Sequence, residues 1–153
     1  MSRLLVSGPY GGYNIGDDSI ARAITRSFSA RDLDVSLTVD MTRQKPFLDL
    51  PVNFVEPVNL RGGKFQTLTA IKQFDAVIIG GGQQYEEPRL PNPIWGHVAT
   101  VNQLYQASRF YKRPFITIGL GVSDKLSYFA RQGLRRITLG SALVAVRDLG
   151  SFE

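Results

Sequence analysis

Short, wholly apolar runs alternate with longer stretches in which apolar residues recur at helical spacing. Leu4-Leu5-Val6 leads straight into a glycine-rich turn, which predicts a short buried strand. From about Asp17 to Ala30 the period lengthens, and Ile20, Ala23, Ile24, Ser27 and Phe28 predict the inward face of a helix. Asp34 to Asp40 alternates, with Val35, Leu37 and Val39 on one side, as a second strand does. Residues 41–62 are rich in Pro and Asn and read as loop, with a short strand at Val52-Asn53-Phe54-Val55. Lys64 to Gln73 reads as a weaker helix. Asp75-Ala76-Val77-Ile78-Ile79 is continuously apolar, the mark of a strand covered on both faces, and it runs into Gly80-Gly81-Gly82. After a loop at Pro88 to Pro93, Ile94 to Tyr111 predicts a helix with Val98, Val101, Leu104, Tyr105 and Phe110 toward the sheet. Pro114 to Ile118 predicts a buried strand closed by Gly119-Leu120-Gly121. Ser123 or Asp124 then caps a helix reaching about Leu139, and Ala142 to Val146 is a last strand.

Strands alternating with helices build βαβ units, hence a mainly parallel sheet between two helical layers. The 153 residues are one α/β domain by size. The last strand is followed by Arg147-Asp148 and a helix-start signal, which predicts that residues 1–153 are the N-terminal half of a two-lobed protein whose C-terminal lobe is absent.

In a parallel sheet, ligands gather at the carboxyl ends of the strands. The glycine segments Gly8–Gly16, Gly80–Gly82 and Gly119–Gly121 each follow a predicted strand, so all three are expected on one edge. Glycine permits a backbone to approach a ligand closely, and equally permits a helix to approach a strand with no ligand. The first segment lacks the G-x-G-x-x-G spacing of a dinucleotide site. Asn14 reads as a helix cap or as an amide facing a substrate. Asp17 and Asp18 either cap the helix or accept hydrogen bonds from sugar hydroxyls, and their charge opposes a phosphate at that terminus.

The chain has no cysteine, which excludes a disulfide scaffold, a cysteine-ligated zinc site and a cysteine nucleophile. No apolar run reaches the roughly 20 residues that span a bilayer, and the N-terminus lacks a secretory apolar stretch, so no transmembrane segment and a cytoplasmic location are expected. A net charge of +5 points to anionic partners: phosphate, carboxylate, acidic glycan, nucleic acid or a membrane surface. The densest basic groups, Arg109 with Lys112-Arg113 and Arg131 with Arg135-Arg136, fall on predicted helices and read as solvated faces. No basic run is interleaved with aromatics as in a single-strand binder, so no nucleic-acid partner is expected.

Four segments together carry a resemblance. Gly11-Gly12-Tyr13-Asn14-Ile15-Gly16-Asp17-Asp18 resembles the opening signature of the polysaccharide pyruvyl transferases. Asp75 through Gly82 is similar to that family's apolar strand ending in three glycines, and Pro114 through Gly121 to its next strand and loop. Val146-Arg147-Asp148 with Ser151 resembles the close of the family's N-terminal domain. The resemblance implies a Rossmann-like N-terminal lobe of a glycosyltransferase-B architecture. It implies transfer of a pyruvyl group from phosphoenolpyruvate, the donor substrate, to a sugar or polysaccharide-precursor acceptor of exopolysaccharide biosynthesis, as a ketal. No cofactor or metal is implied. A homo-oligomer is among the expected partners, and the chain alone is expected to be inactive.

Such chemistry needs cations for the phosphate and carboxylate, an acid for the methylene carbon and a base for the attacking hydroxyl. Arg147, His97 and Asp17 are the catalytic candidates. Arg147 alternatively pairs with Asp148, and His97, the sole histidine, alternatively sits on the surface or caps a helix. The substrate-binding candidates are Gly11, Gly12, Asn14, Gly16, Gly80, Gly81, Gly82, Gln83, Gly119 and Gly121. Glu86, Glu87 and the Arg61-Gly62-Gly63-Lys64 turn are lesser candidates. Gln83 through Glu87, and Val122-Ser123 after Gly121, depart from the family pattern and keep a non-catalytic relative in view. A nucleotide- or dinucleotide-binding module is the other alternative, with Asp40 at the end of the second strand as its ribose-binding acid.

Overall fold

The two continuously apolar runs lie side by side. Strand β1 (Arg3–Ser7) pairs in parallel with β4 (Ala76–Gly80), from Leu4 opposite Ala76 to Ser7 opposite Ile79. On the other flank of β1 come β2 (Asp34–Thr38) and then β3 (Asn53–Val55); beyond β4 come β5 (Phe115–Leu120) and β6 (Leu143–Val146). The result is a six-stranded sheet of order β3-β2-β1-β4-β5-β6, parallel at every pairing. This computed structural model describes residues 2–11, 14–39, 47–56, 64–82, 85, 97–123 and 125–147, with Lys64 and His97 described by their backbone.

Alternation along the strands divides the core in two. Leu4, Val6, Val35, Leu37 and Ile78 face α1 (Ile15–Ser29) together with Phe47 and Leu50. Leu5, Val77, Ile79 and Phe115 face the opposite layer, made of α2 (Lys64–Ile71), α3 (His97–Phe110) and α4 (Tyr128–Gly140). The fold is a three-layer, Rossmann-like α/β domain, as the strand–helix alternation predicts.

Several local expectations are corrected. Helix α1 buries Asp17, Ala21, Ile24 and Thr25, while Ala23 and Ser27 are exposed. Within that stripe Ile24 packs closely against Gly80. In α3, Val98, Val101, Leu104 and Tyr105 are buried as expected, but Phe110 is 70% exposed. Ala107 and Ser108 occupy the inward positions of that last turn, and position 110 falls on the far side of the helix. Strand β5 does not stop at Ile118. It continues through Gly119, with φ +67°, to Leu120, and the register against β6 shifts there as in a β-bulge. Helix α4 starts at Tyr128, later than expected. Ser127, not Ser123, caps it by accepting from the Ala130 N–H at 3.3 Å, and Asp124 lies outside the described residues. The intervening chain is held in the sheet instead, where Val122 bridges Tyr85 and the Ser123 N–H donates to the Tyr85 carbonyl at 3.1 Å.

Leu5, fully buried where β1 meets the α2–α3 layer, and Phe110 give opposite expectations. Leu5→Ala lowers unfolding free energy by about 2–5 kcal/mol, whereas Phe110→Ser stays within about 0.5 kcal/mol of the parent. Urea unfolding followed by circular dichroism distinguishes these.

Candidate functional site

The sheet order reverses between β1 and β4. Chain leaving β1 enters α1 on one face, and chain leaving β4 proceeds to α3 on the other, which opens a crevice at the carboxyl edge. Gly8 to Gly11 follow β1, Gly81 and Gly82 follow β4, and Gly121 follows β5. The three glycine segments therefore share one edge, as expected from a parallel sheet.

Tyr10 closes the seam between β1 and β4. It is 5% exposed, and its hydroxyl donates to the Gly80 carbonyl at 2.5 Å. Burial, and secondarily the negative charge of Asp17, push its phenol well above the ordinary tyrosine range, so it remains a neutral donor. The glycine triplet is packed tightly against this seam. A Cβ on Gly80 would lie 2.5 Å from Ile24 Cδ1 and 2.9 Å from Tyr10 Oη. At Gly82, with φ +73°, a Cβ would lie 2.5 Å from Asp17 Oδ1 and 3.2 Å from Pro9 Cγ. Gly82 favours glycine by its positive φ, and a side chain at either position would displace its packed neighbours, before any ligand is considered.

Many of the edge amides are also committed. The Gly11 N–H donates to Asp18 Oδ1 at 2.8 Å, and the Gly16 N–H to Asn14 Oδ1 at 3.1 Å, so Asn14 does cap α1. The Gly81 N–H donates to the Ile118 carbonyl and the Gly121 N–H to the Gly82 carbonyl, each at 3.0 Å. Asp17 is only 7% exposed and lies beneath Gly82. Arg147 follows β6, is exposed, and donates its backbone N–H to the Leu120 carbonyl at 3.2 Å. By strand spacing it lies roughly 10 Å along the edge from β4. The structure thus brings Asp17, Asn14, the glycines and Arg147 to one edge. Asp17 sits inside that edge; Asn14, Gly16 and Arg147 stand on its surface. His97 is the first residue of α3. Gly12, Asp40, Gln83, Glu86, Glu87 and residues 61–63 lie outside the described residues.

Two contributors were not singled out from the sequence. Tyr10 was hidden within its glycine turn, although an aromatic among glycines is itself a signal of a packed anchor. Asn102 donates from Nδ2 to the Tyr85 hydroxyl and to the Val98 carbonyl, both at 2.9 Å, and so ties the segment after the glycine triplet to α3. No sequence period announces that contact. A groove of about 170 Å³ lined by Thr67, Leu68, Gln103, Gln106, Ala107 and Phe110 lies between α2 and α3, away from the glycine edge.

The family model for polysaccharide pyruvyl transferases matches residues 14–153. The chain belongs to the polysaccharide pyruvyl transferase family. That match takes in Asn14, Asp17, the glycine triplet and Arg147, while Gly8 to Gly11 and Tyr10 precede it. Comparison with curated proteins finds no match. Among solved structures, the chain is similar in fold to the Bordetella bronchiseptica enzyme WbmH in complex with NAD+ (18% identity, TM-score 0.54, 76% of this chain and 38% of that one). It is also similar to a Rossmann-fold NAD(P)-binding family protein from Shigella flexneri (17%, 0.56, 94% and 66%). A third is UDP-glucose 4-epimerase from Brucella ovis in complex with NAD (16%, 0.56, 95% and 51%). The chain spans less than two thirds of the length of each, and these likenesses show the Rossmann-like fold of this family member.

Tyr10→Phe removes the seam hydrogen bond to the Gly80 carbonyl, at a cost of about 0.5–1.5 kcal/mol. The pH dependence has a definite sign. A raised tyrosine pKa stabilises the fold fully below the ordinary value of about 10 and is lost as pH rises above it. The parent's unfolding midpoint is therefore expected to fall more steeply than that of Tyr10→Phe above pH 10. Equal alkaline slopes would contradict a buried, neutral Tyr10.

Proposed function

We propose that the carboxyl edge of this sheet forms one wall of a pyruvyl-transfer site, which takes phosphoenolpyruvate as donor and a sugar diol of a polysaccharide precursor as acceptor. Membership of the family across residues 14–153 is the observation that carries this reading. The concentration of glycine segments and a cation on one edge supports it.

The chemistry balances as follows. The two sugar oxygens bond to C2 of the enolpyruvyl group, and the C2–O bond to phosphate breaks. One hydroxyl proton is delivered to the methylene carbon, which becomes a methyl group, and the other leaves with inorganic phosphate. In this reading Arg147 holds the donor's carboxylate or phosphate by charge-assisted hydrogen bonds. Asn14 and Gly16, exposed at the start of α1, meet the acceptor hydroxyls. His97 is the proposed acid–base residue, at the end of α3 that faces the carboxyl edge because a crossover helix runs antiparallel to its strands. Asp17, being buried beneath Gly82, is a positioning residue that orients the glycine loop from within the wall. The opposite wall is a second lobe, and the donor is held between the two.

Isothermal titration of the chain with phosphoenolpyruvate tests the reading. Weak binding is expected, reduced about 10- to 100-fold in Arg147→Ala, the range for loss of a hydrogen bond to a charged group. Phosphate release by the isolated chain is expected to stay at background. Micromolar binding of NAD, with none of phosphoenolpyruvate, would instead favour a dinucleotide module.

A further inference from the structure

The outer surface of α4 combines two features that a solvated helix face keeps apart. Its thirteen residues include Arg131, Arg135 and Arg136 and no acidic residue. They also leave large apolar side chains in water, with Tyr128 70%, Phe129 84% and Leu139 79% exposed. The inward positions are filled by buried Ala130 and Ile137. Outward, Tyr128, Gln132, Arg135 and Leu139 follow one another at steps of four, three and four residues and form a single stripe. Phe129 and Arg136 flank it on one side and Arg131 on the other, and all seven are exposed. The rings of Tyr128 and Phe129 meet edge to face, with centroids 5.9 Å apart, at the helix's first turn. Among the described residues Arg135 and Arg136 form no ion pair, and the helical neighbour of α4 is α3. Among the described residues, its outer side chains are exposed.

Charge and apolarity on one exposed face select the partner. Aromatic rings favour the depth of lipid headgroups, where one end is apolar and the other wet, and arginines are drawn to anionic headgroups. A second copy of the chain is a poorer occupant, because two-fold pairing of this face sets arginines against arginines. Nucleic acid accounts for the arginines but gives Leu139 no role. No described helix is long and apolar enough to cross a membrane, so the mode is lateral contact.

We propose that the outer face of α4 docks the protein on an anionic phospholipid surface. Tyr128, Phe129 and Leu139 enter the headgroup–acyl boundary, and Arg135 and Arg136 pair with lipid phosphates. This inference stands apart from the pyruvyl-transfer reading. Vesicle flotation tests it, with phosphatidylcholine mixed with phosphatidylglycerol against phosphatidylcholine alone. The chain is expected to float with the mixed vesicles only. Arg135→Gln and Arg136→Gln each weaken binding about fivefold. The pair Tyr128→Ser and Phe129→Ser removes the part of binding that survives high salt. All these positions are exposed, so thermal melts of the variants are expected to match the parent. Failure of the parent to float would overturn the proposal. So would binding that depends on the arginines but not the aromatics, which is plain polyanion attraction. Self-association abolished by the same variants, without vesicle binding, would assign the face to a second copy.

Discussion

The carboxyl edge of the sheet depends on how closely β1 and β4 approach each other beneath α1. Tyr10 spans that seam, its hydroxyl bound to the Gly80 carbonyl. Around it Ile24 of α1 presses on Gly80 and the Asp17 carboxylate on Gly82. A side chain at either glycine would displace Ile24 and Tyr10 or Asp17, and at Gly82 it would also strain a backbone with φ +73°. Asp17 occupies the first turn of α1, where backbone N–H groups favour an anion. The glycines therefore shape the edge by packing.

Much of this was legible in the sequence, and the legible part has a common cause. Residues 76–79 are apolar without interruption because helices cover both faces of the sheet there, and the same burial makes β1 and β5 easy to recognise. Parallel order then placed the glycine segments on one edge without further information. What escaped notice depends on contacts distant in sequence. Ala23 and Ser27 look like core at helical spacing, but α1 packs Ile24 against Gly80 and leaves them exposed. The bulge at Gly119 extends β5 through a glycine that reads as a terminator. Ser123 looks like a cap, yet Tyr85 holds that segment in the sheet. Among the candidate residues, Asn14 and Arg147 stand on the surface of the edge, while Asp17, the first choice for a base, is enclosed.

The edge and the outer face of α4 meet at the first turn of that helix. The chain leaves β5 at Leu120 and reaches Tyr128 after a short connection. A surface that engages Tyr128 and Phe129 therefore lies next to the carboxyl ends of the strands. The basic group Arg131, Arg135 and Arg136 resembles a solvated face in sequence; the exposed aromatics around it change that reading.

The central claim is that substrate chemistry belongs to the carboxyl edge. Amide chemical-shift mapping of the isotopically labelled chain during titration with phosphoenolpyruvate tests it most directly. The largest shifts are expected at Gly11, Gly16, Gly82, Gly121 and Arg147, with Arg3, Asp75 and Arg113 at the opposite edge unmoved. Shifts concentrated around Arg3, Asp75 and Arg113, or in the groove between α2 and α3, would contradict it.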